Sequence, residues 1–262
     1  MEEKENNSLS SYDPLVKPVT RWECPEGTGV PLITMPNVPR PLHGQGLQPR
    51  TIFGKTTWDF MRKRAYFNAG YKCEICGCEP KKGDLHAHEL FSYDYDRTTG
   101  EFKRVVAICR TCHDGIHSGR LITMFKRGNP LYPKSYVLKV VENCFSLVYK
   151  WNKEHPDDEP LRVYSTYLEY LNVPELHDEM AALIKKYNIK FYEEKLPKHR
   201  RWKGWRVKVG SNYYESPYKS QGEWEAAMEE MNNRDNMRNV ADPFSGGVFD
   251  EISKIVDNNT EA

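Results

Sequence analysis

CRTCHDGIHSGR, residues 109–120, decides how this chain is read. It joins a Cys-x-x-Cys pair, Cys109 and Cys112, directly to His113, with His117 four residues further on. Two thiolates at that spacing bite one tetrahedral zinc. Two imidazoles four apart share one face of a helix. The stretch therefore predicts a sulfur turn running straight into a helix that offers nitrogen ligands. Upstream, Cys73-Glu-Ile-Cys76 repeats the turn, followed by Gly77. Thirty-two residues separate the two pairs, room for a hairpin closed by the metal. Within that gap lies LHAHEL (85–90). Strand alternation puts Leu85, Ala87 and Glu89 on one face and His86 and His88 on the other. Four thiolates make a closed structural site. Two helix imidazoles and a strand histidine make an open one.

The other cysteines read differently. Seven is an odd number, and the polar, acidic start MEEKENNSLSSYDP is not a secretion signal, so a disulfide framework is not expected. Cys144 falls on an apolar helical face and reads as a small buried hydrophobe. Cys24 reads as a bystander. So does Cys78, although it is close enough to the first pair to replace a ligand.

The chain has 262 residues, with 38 Lys and Arg against 37 Asp and Glu. A net charge of +1 excludes a globally polycationic nucleic-acid binder. At 39% hydrophobic and 29% charged it is neither a membrane protein nor a wholly disordered one. No apolar run approaches the roughly 20 residues of a membrane span. The expected location is the cytoplasm.

Working outward, residues 1–50 are rich in proline and read as an extended arm. The metal segment occupies 51–125, led by a helix that Thr57 caps, with Trp58, Met61 and Ala65 on one face and Gly70 at its end. Apolar spacing predicts helices over 130–188: one at 135–152, one through Leu161, Tyr164, Leu168 and Leu171, and one from Leu176 to Tyr187. Residues 189–231 read as short strands, a hairpin at Gly210, and a helix opened by Ser220-x-x-Glu223. Within it, PKHRRWKGWRVKV (197–209) holds six Lys and Arg and no acid. Arg200, Arg201, Trp202, Lys203, Trp205 and Arg206 there suit phosphate contact and base stacking; a solvated strand face explains them equally. Residues 232–262 read as an acidic tail. The expected class is α+β: a small metal-stapled module, a mainly helical region, and a hairpin-helix element. His43, His155, His177 and His199 stand alone and read as surface or paired core histidines.

Over 71–120 the chain resembles the HNH (ββα-metal) nuclease family. The carriers are the two Cys pairs bracketing a strand histidine, and His113 and His117 after the last cysteine. In the family register His88 takes the ligand position and Glu89 the general-base position. Arg104 stands where the family has Asn. A one-residue shift would make His88 the base, with His86 or Glu89 as ligand. PRTIFGK (49–55), Trp58-Asp59, LHAHE (85–89) and CRTCHDGIHSGR (109–120) are similar to a phage and prophage-type branch.

The resemblance implies structural zinc on Cys73, Cys76, Cys109 and Cys112. It implies a second divalent ion (Mg, Mn, Ni or Zn) on His88, His113 and His117, and hydrolysis of DNA phosphodiesters in a bacterial host cytoplasm. Glu89 or His88 would activate water, and Arg104 or Arg120 would clamp phosphate. A second reading keeps the module as a zinc-stabilised binding protein for nucleic acid or a host protein.

Overall fold

The computed structural model describes residues 16–19, 21–25, 27–36, 38–43, 47–81, 83–194, 202 and 204–241. It divides into two units, 1–217 and 218–262.

The first unit is mixed α+β and is organised by one long hairpin. β3 (Leu85–Asp94) and β4 (Thr99–Cys109) pair antiparallel from Leu85–Cys109 to Asp94–Thr99, with a bulge between Leu90 and Phe91. The connecting turn is closed by Asp94, whose carboxylate accepts from Arg97 N at 2.8 Å. β2 (Arg21–Trp22) lines the far edge of β3. β7 (Arg206–Val209) runs parallel to the start of β4, and β8 (Asn212–Glu215) folds back on β7. The sheet order is β2-β3-β4-β7-β8. A second sheet, β1-β6-β5, is built of parallel pairs among β1 (Val16–Val19), β6 (Phe191–Glu194) and β5 (Val163–Tyr164).

Alternation along the hairpin sorts the helices. Ala87, Val105 and Phe102 meet Trp58, Met61 and Ala65 of α1 (Pro49–Asn68). From the opposite face Leu90, Val106 and Ile108 enter the main core. There they join Ile116 of α2 (Arg110–Ile116), Leu121 and Ile122 of α3 (Ser118–Lys126), and Val137, Val141 and Phe145 of α4 (Lys134–Glu154). Burying such side chains contributes about 1.5–3 kcal/mol each. The hairpin is thus covered by helices on both faces, α1 on one and α2, α3 and α4 on the other. α5 (His177–Lys186) adds Met180 and Ile184 to the same core.

Several expectations are revised. The proline-rich stretch is not merely laid over the surface: Leu32, Ile33, Met35, Leu42 and Leu47 are buried, most of them in or next to two short 3-10 turns that carry a proline in their first residues. α1 starts earlier than Thr57, at Pro49, and is kinked at Gly54, whose φ of 74° suits glycine. Its end matches expectation, with Gly70 at φ 58° and the Gly70 N–Phe67 O and Tyr71 N–Tyr66 O bonds of a Schellman stop. Instead of a second α-helix through Leu161–Leu171, β5 is followed by a 3-10 helix, Ser165–Asn172. There the Tyr167 and Tyr170 hydroxyls donate to Gly115 O and Ser118 O, both at 2.7 Å. The 206–215 hairpin is part of the central sheet, not a separate element.

The second unit begins with α6 (Gln221–Ala241). Ser220 Oγ accepts from Glu223 N at 3.2 Å, and the Glu223 carboxylate accepts from Lys219 N at 2.7 Å, close to the expected capping box. Residues 242–262 of the expected tail lie outside the described residues. Among the described residues no helix is long and apolar enough to cross a membrane.

α2 packs tightly against α4 at Gly115. A Cβ added there would lie 2.2 Å from Cys144 Sγ, and Cys144 is fully buried. Gly115→Ala should therefore lower stability by about 1–3 kcal/mol, read as a drop in denaturant midpoint. Adding Cys144→Ala should restore most of the loss, because the sulfur that clashes is gone. Equal destabilisation in the single and double variants would show that the helices do not touch there.

Candidate metal centre

The first Cys pair is held against β4 by Glu74, the residue inside it. Glu74 N donates to Ala107 O and its carboxylate accepts from Ala107 N, each at 2.8 Å. Arg104 Nη1 donates to the same carboxylate at 2.8 Å, and Nη2 to Gly27 O at 2.9 Å. Arg104 is thus an anchor for the turn, its guanidinium already engaged. The turn closes through Gly77 N to Cys73 O (2.8 Å) and Cys73 N to Cys78 O (2.9 Å), with Gly77 at φ 70°.

That docking collects sulfur. Cys73, Cys76, Cys78 and Cys109 place their Sγ atoms within 4.8 Å of one another. Cys112 completes a group of five, within hydrogen-bonding reach of Cys109, Cys73 and Cys76. Cys112 N donates to Cys109 Sγ at 3.5 Å, and Asn143 Nδ2 to Cys112 Sγ at 3.9 Å. Cys78 is therefore no bystander: the turn after Cys76 brings it back onto the cluster from the solvent side, while Cys112 sits fully buried on the other. All seven cysteines are free thiols. Hydrogen bonds from Cys109 and then Cys112 hold Cys73 down to about 6, whereas burial and the neighbouring Cys76 push Cys78 up to about 11. Crowded sulfurs cannot all ionise alone. A dication would let four of them do so.

The histidines form a second cluster. His88, His113 and His117 bring ring nitrogens within 4.8 Å of one another, with ring centroids 4.7–5.3 Å apart. His113 and His117 do not ride one continuous helix: α2 ends at His117, which also begins α3. His117 N still bonds to His113 O at 3.1 Å, so the four-residue spacing aligns the rings as expected. The hydroxyls of Tyr167 and Tyr170 accommodate the break by taking up carbonyls on either side of it.

Burial keeps these imidazoles neutral. It pushes His88 well below its usual range, helped by His117 and His113. It takes His113 to about 3, with His117, His86 and Arg120 adding to the shift, and His117 to about 4, with Arg120 adding. The Nδ1 atoms of His88 and His113 are buried without a hydrogen-bond partner. Buried polar nitrogens are seldom left so. A neutral imidazole nitrogen is the form that ligates a divalent ion, so the donor set fits a metal on chemistry as well as spacing.

Other expected residues fall elsewhere. Glu89 shares the α1 face of the hairpin, opposite the imidazoles. Burial raises its pKa, against the pull of Arg50. His86 shares the face of His88, its ring 4.9 Å from His113. Arg120 stands beside the imidazoles, half-exposed. Trp205 is not a stacking residue: it is 1% exposed and packs edge-on to Tyr95, because the chain entering β7 sets its side chain in the second core cluster. Arg206 lies over Tyr213 at 4.6 Å, and Trp202 is half-buried. Arg200, Arg201 and Lys203 lie outside the described residues, as does His199. His43, His155 and His177 each pair with a backbone carbonyl, at 2.7, 3.0 and 2.7 Å.

The sequence reading missed Asp114. Buried between the two helix histidines, its carboxylate accepts from Tyr136 Oη at 2.6 Å and lies 3.6 Å from Arg110 Nε and 3.8 Å from Arg120 Nη1. The available signal was Arg110 four residues before it on the same helix.

Two outcomes are expected. Three sulfurs are common to the cluster and two flank it, so Cys78→Ser or Cys112→Ser alone should keep one zinc by native mass spectrometry, and the double variant should lose it. Loss in either single variant would show that its partner cannot substitute. In metal-free protein, depressed folded pKa values mean that the unfolded chain binds protons first. Stability should be full above about pH 6.5 and fall progressively towards about pH 3. His113→Gln should flatten that decline; an unchanged profile would place the acid sensitivity elsewhere.

No family model, curated protein or solved structure matches this chain.

Proposed function

We propose that this protein is a metal-dependent endonuclease that hydrolyses phosphodiester bonds in DNA, with the β3–β4 hairpin and α2 as a ββα-metal module. The observation that carries the reading is the second cluster. A closed thiolate site is enough to staple a small fold. Three neutral imidazoles, one buried and two half-buried, two of them with orphaned nitrogens, add nothing to that staple.

When bound there, a divalent ion supplies charge stabilisation at a phosphate oxygen and at the leaving 3′-oxygen. His88, His113 and His117 would hold it, and the sulfur cluster would hold zinc for structure. The chain's own groups divide the remaining work. His86 shares the face of the imidazoles, so it, not Glu89, takes the proton from attacking water. Arg120 offers its half-exposed guanidinium to a phosphate oxygen, while Arg104 stays with Glu74. Asp114 and Tyr136 steady Arg110 and Arg120 from below. The phage origin and cytoplasmic location suggested by the motif belong to the same proposal.

Supercoiled plasmid incubated with Mg, Mn, Ni or Zn should be nicked or linearised with at least one of them. His113→Ala should reduce the rate by roughly 10²-fold or more. His86→Ala should lower the rate while metal stays bound, and Glu89→Gln should stay within about threefold of the parent. Absence of nicked or linear product above the His113→Ala background under every metal would favour the second reading, a zinc-stabilised protein that binds without cutting.

A further inference from the structure

α1 has a second face that the core does not use. Trp58, Met61 and Ala65 pack on the hairpin. On the opposite side Phe60 and Phe67 are 61% and 72% exposed, and Tyr71, just past the end of the helix, is 63% exposed; these are three of the five large apolar side chains so exposed among the described residues. Single exposed apolar side chains are ordinary, but a run of them along one element marks a contact surface. Positions 60, 64 and 67 recur at helical spacing, so Arg64 lies beside the two rings of α1, and Lys63 is exposed next to it; Tyr71 follows just past the end of the helix. Tyr71 is held outward at φ 59°, in the left-handed region that a bulky residue rarely adopts.

We infer that this face of α1 binds single-stranded nucleic acid. Charge favours a polyanion: the helix carries Arg50, Lys55, Arg62, Lys63 and Arg64 against Asp59 alone, and Asp59 is taken by Arg62 at 3.1 Å. Ring chemistry favours bases. The three exposed apolar side chains are all aromatic, with none of the aliphatic side chains that pack a partner helix. Aromatic rings interleaved with cations are the platform on which unpaired bases stack while the backbone is neutralised. The histidines face the other side of the sheet, so this surface is separate from the metal site. It holds a strand whether or not the protein cuts it.

The test uses the full chain and a fluorescent, phosphorothioate-linked oligothymidine, with the matched duplex alongside, read by anisotropy over a salt series. Phe60→Ala, Phe67→Ala and Tyr71→Asn (asparagine tolerates the left-handed backbone) should each weaken single-strand binding at least about fivefold. Phe67→Trp should keep the affinity and Phe67→Leu should not, which separates stacking from plain apolarity. Lys63→Gln with Arg64→Gln should flatten the salt slope by roughly 1.4. Zinc content and circular dichroism should stay at parental values, and plasmid cleavage is scored separately. Affinity unchanged within twofold across the aromatic variants would overturn the inference. So would tighter duplex binding that ignores them, or a Phe67-dependent dimer in sedimentation, which would assign the face to a second copy of the chain.

Discussion

Everything at the candidate metal centre depends on how the end of β4 is fixed. Cys109 is the last residue of that strand, and Cys112 and His113 follow within one helical turn. Whatever holds the sulfur therefore also aims the first imidazole of α2. Glu74 supplies the joint, bonding both ways to Ala107 and accepting from Arg104. The Cys73–Cys78 turn is thereby set on the one stretch of β4 edge that β7 leaves uncovered. A buried carboxylate so engaged is costly to remove, since its donors would be left unpaired.

The same region spends stability on placing nitrogen. His88, His113 and His117 lie where burial disfavours their charged forms, and α2 is broken at His117 to bring the last ring round. Tyr167 and Tyr170 then reach across from the 3-10 helix to carbonyls beside the break. Gly115 lets α4 come close enough for this packing to occur. Such costly arrangements cluster at sites of function, which is why the imidazoles and not the sulfurs carry the functional proposal.

Local spacing was legible in the sequence; tertiary assignment was not. The Cys-x-x-Cys pairs, the His113–His117 interval and the alternation of His86 and His88 against Glu89 are properties of a few neighbouring residues, and they survive folding. Long amphipathic stretches such as α4 and α5 were equally readable. Cys78 could not be told from a bystander, because its return to the cluster depends on how the turn docks on β4. Trp205 looked like a partner of the basic tract, yet β7 pairs with β4, 107 residues earlier in the chain, and the sheet buries it. The proline-rich stretch gave no period at all, and its buried Leu32, Ile33, Met35, Leu42 and Leu47 are chosen by the two core clusters they join. Arg104 reads as free for phosphate along the chain, whereas the fold sets the Glu74 carboxylate beside it.

Titration of metal-free protein with cobalt(II) tests the two-site account most directly. It predicts two ions per chain: one that raises the intense thiolate-to-metal absorption of a sulfur site, and one that adds only the weak bands of nitrogen and oxygen ligands. His113→Ala should remove the second ion and leave the thiolate absorption unchanged. A single ion per chain, or a second ion indifferent to His113→Ala, would contradict it.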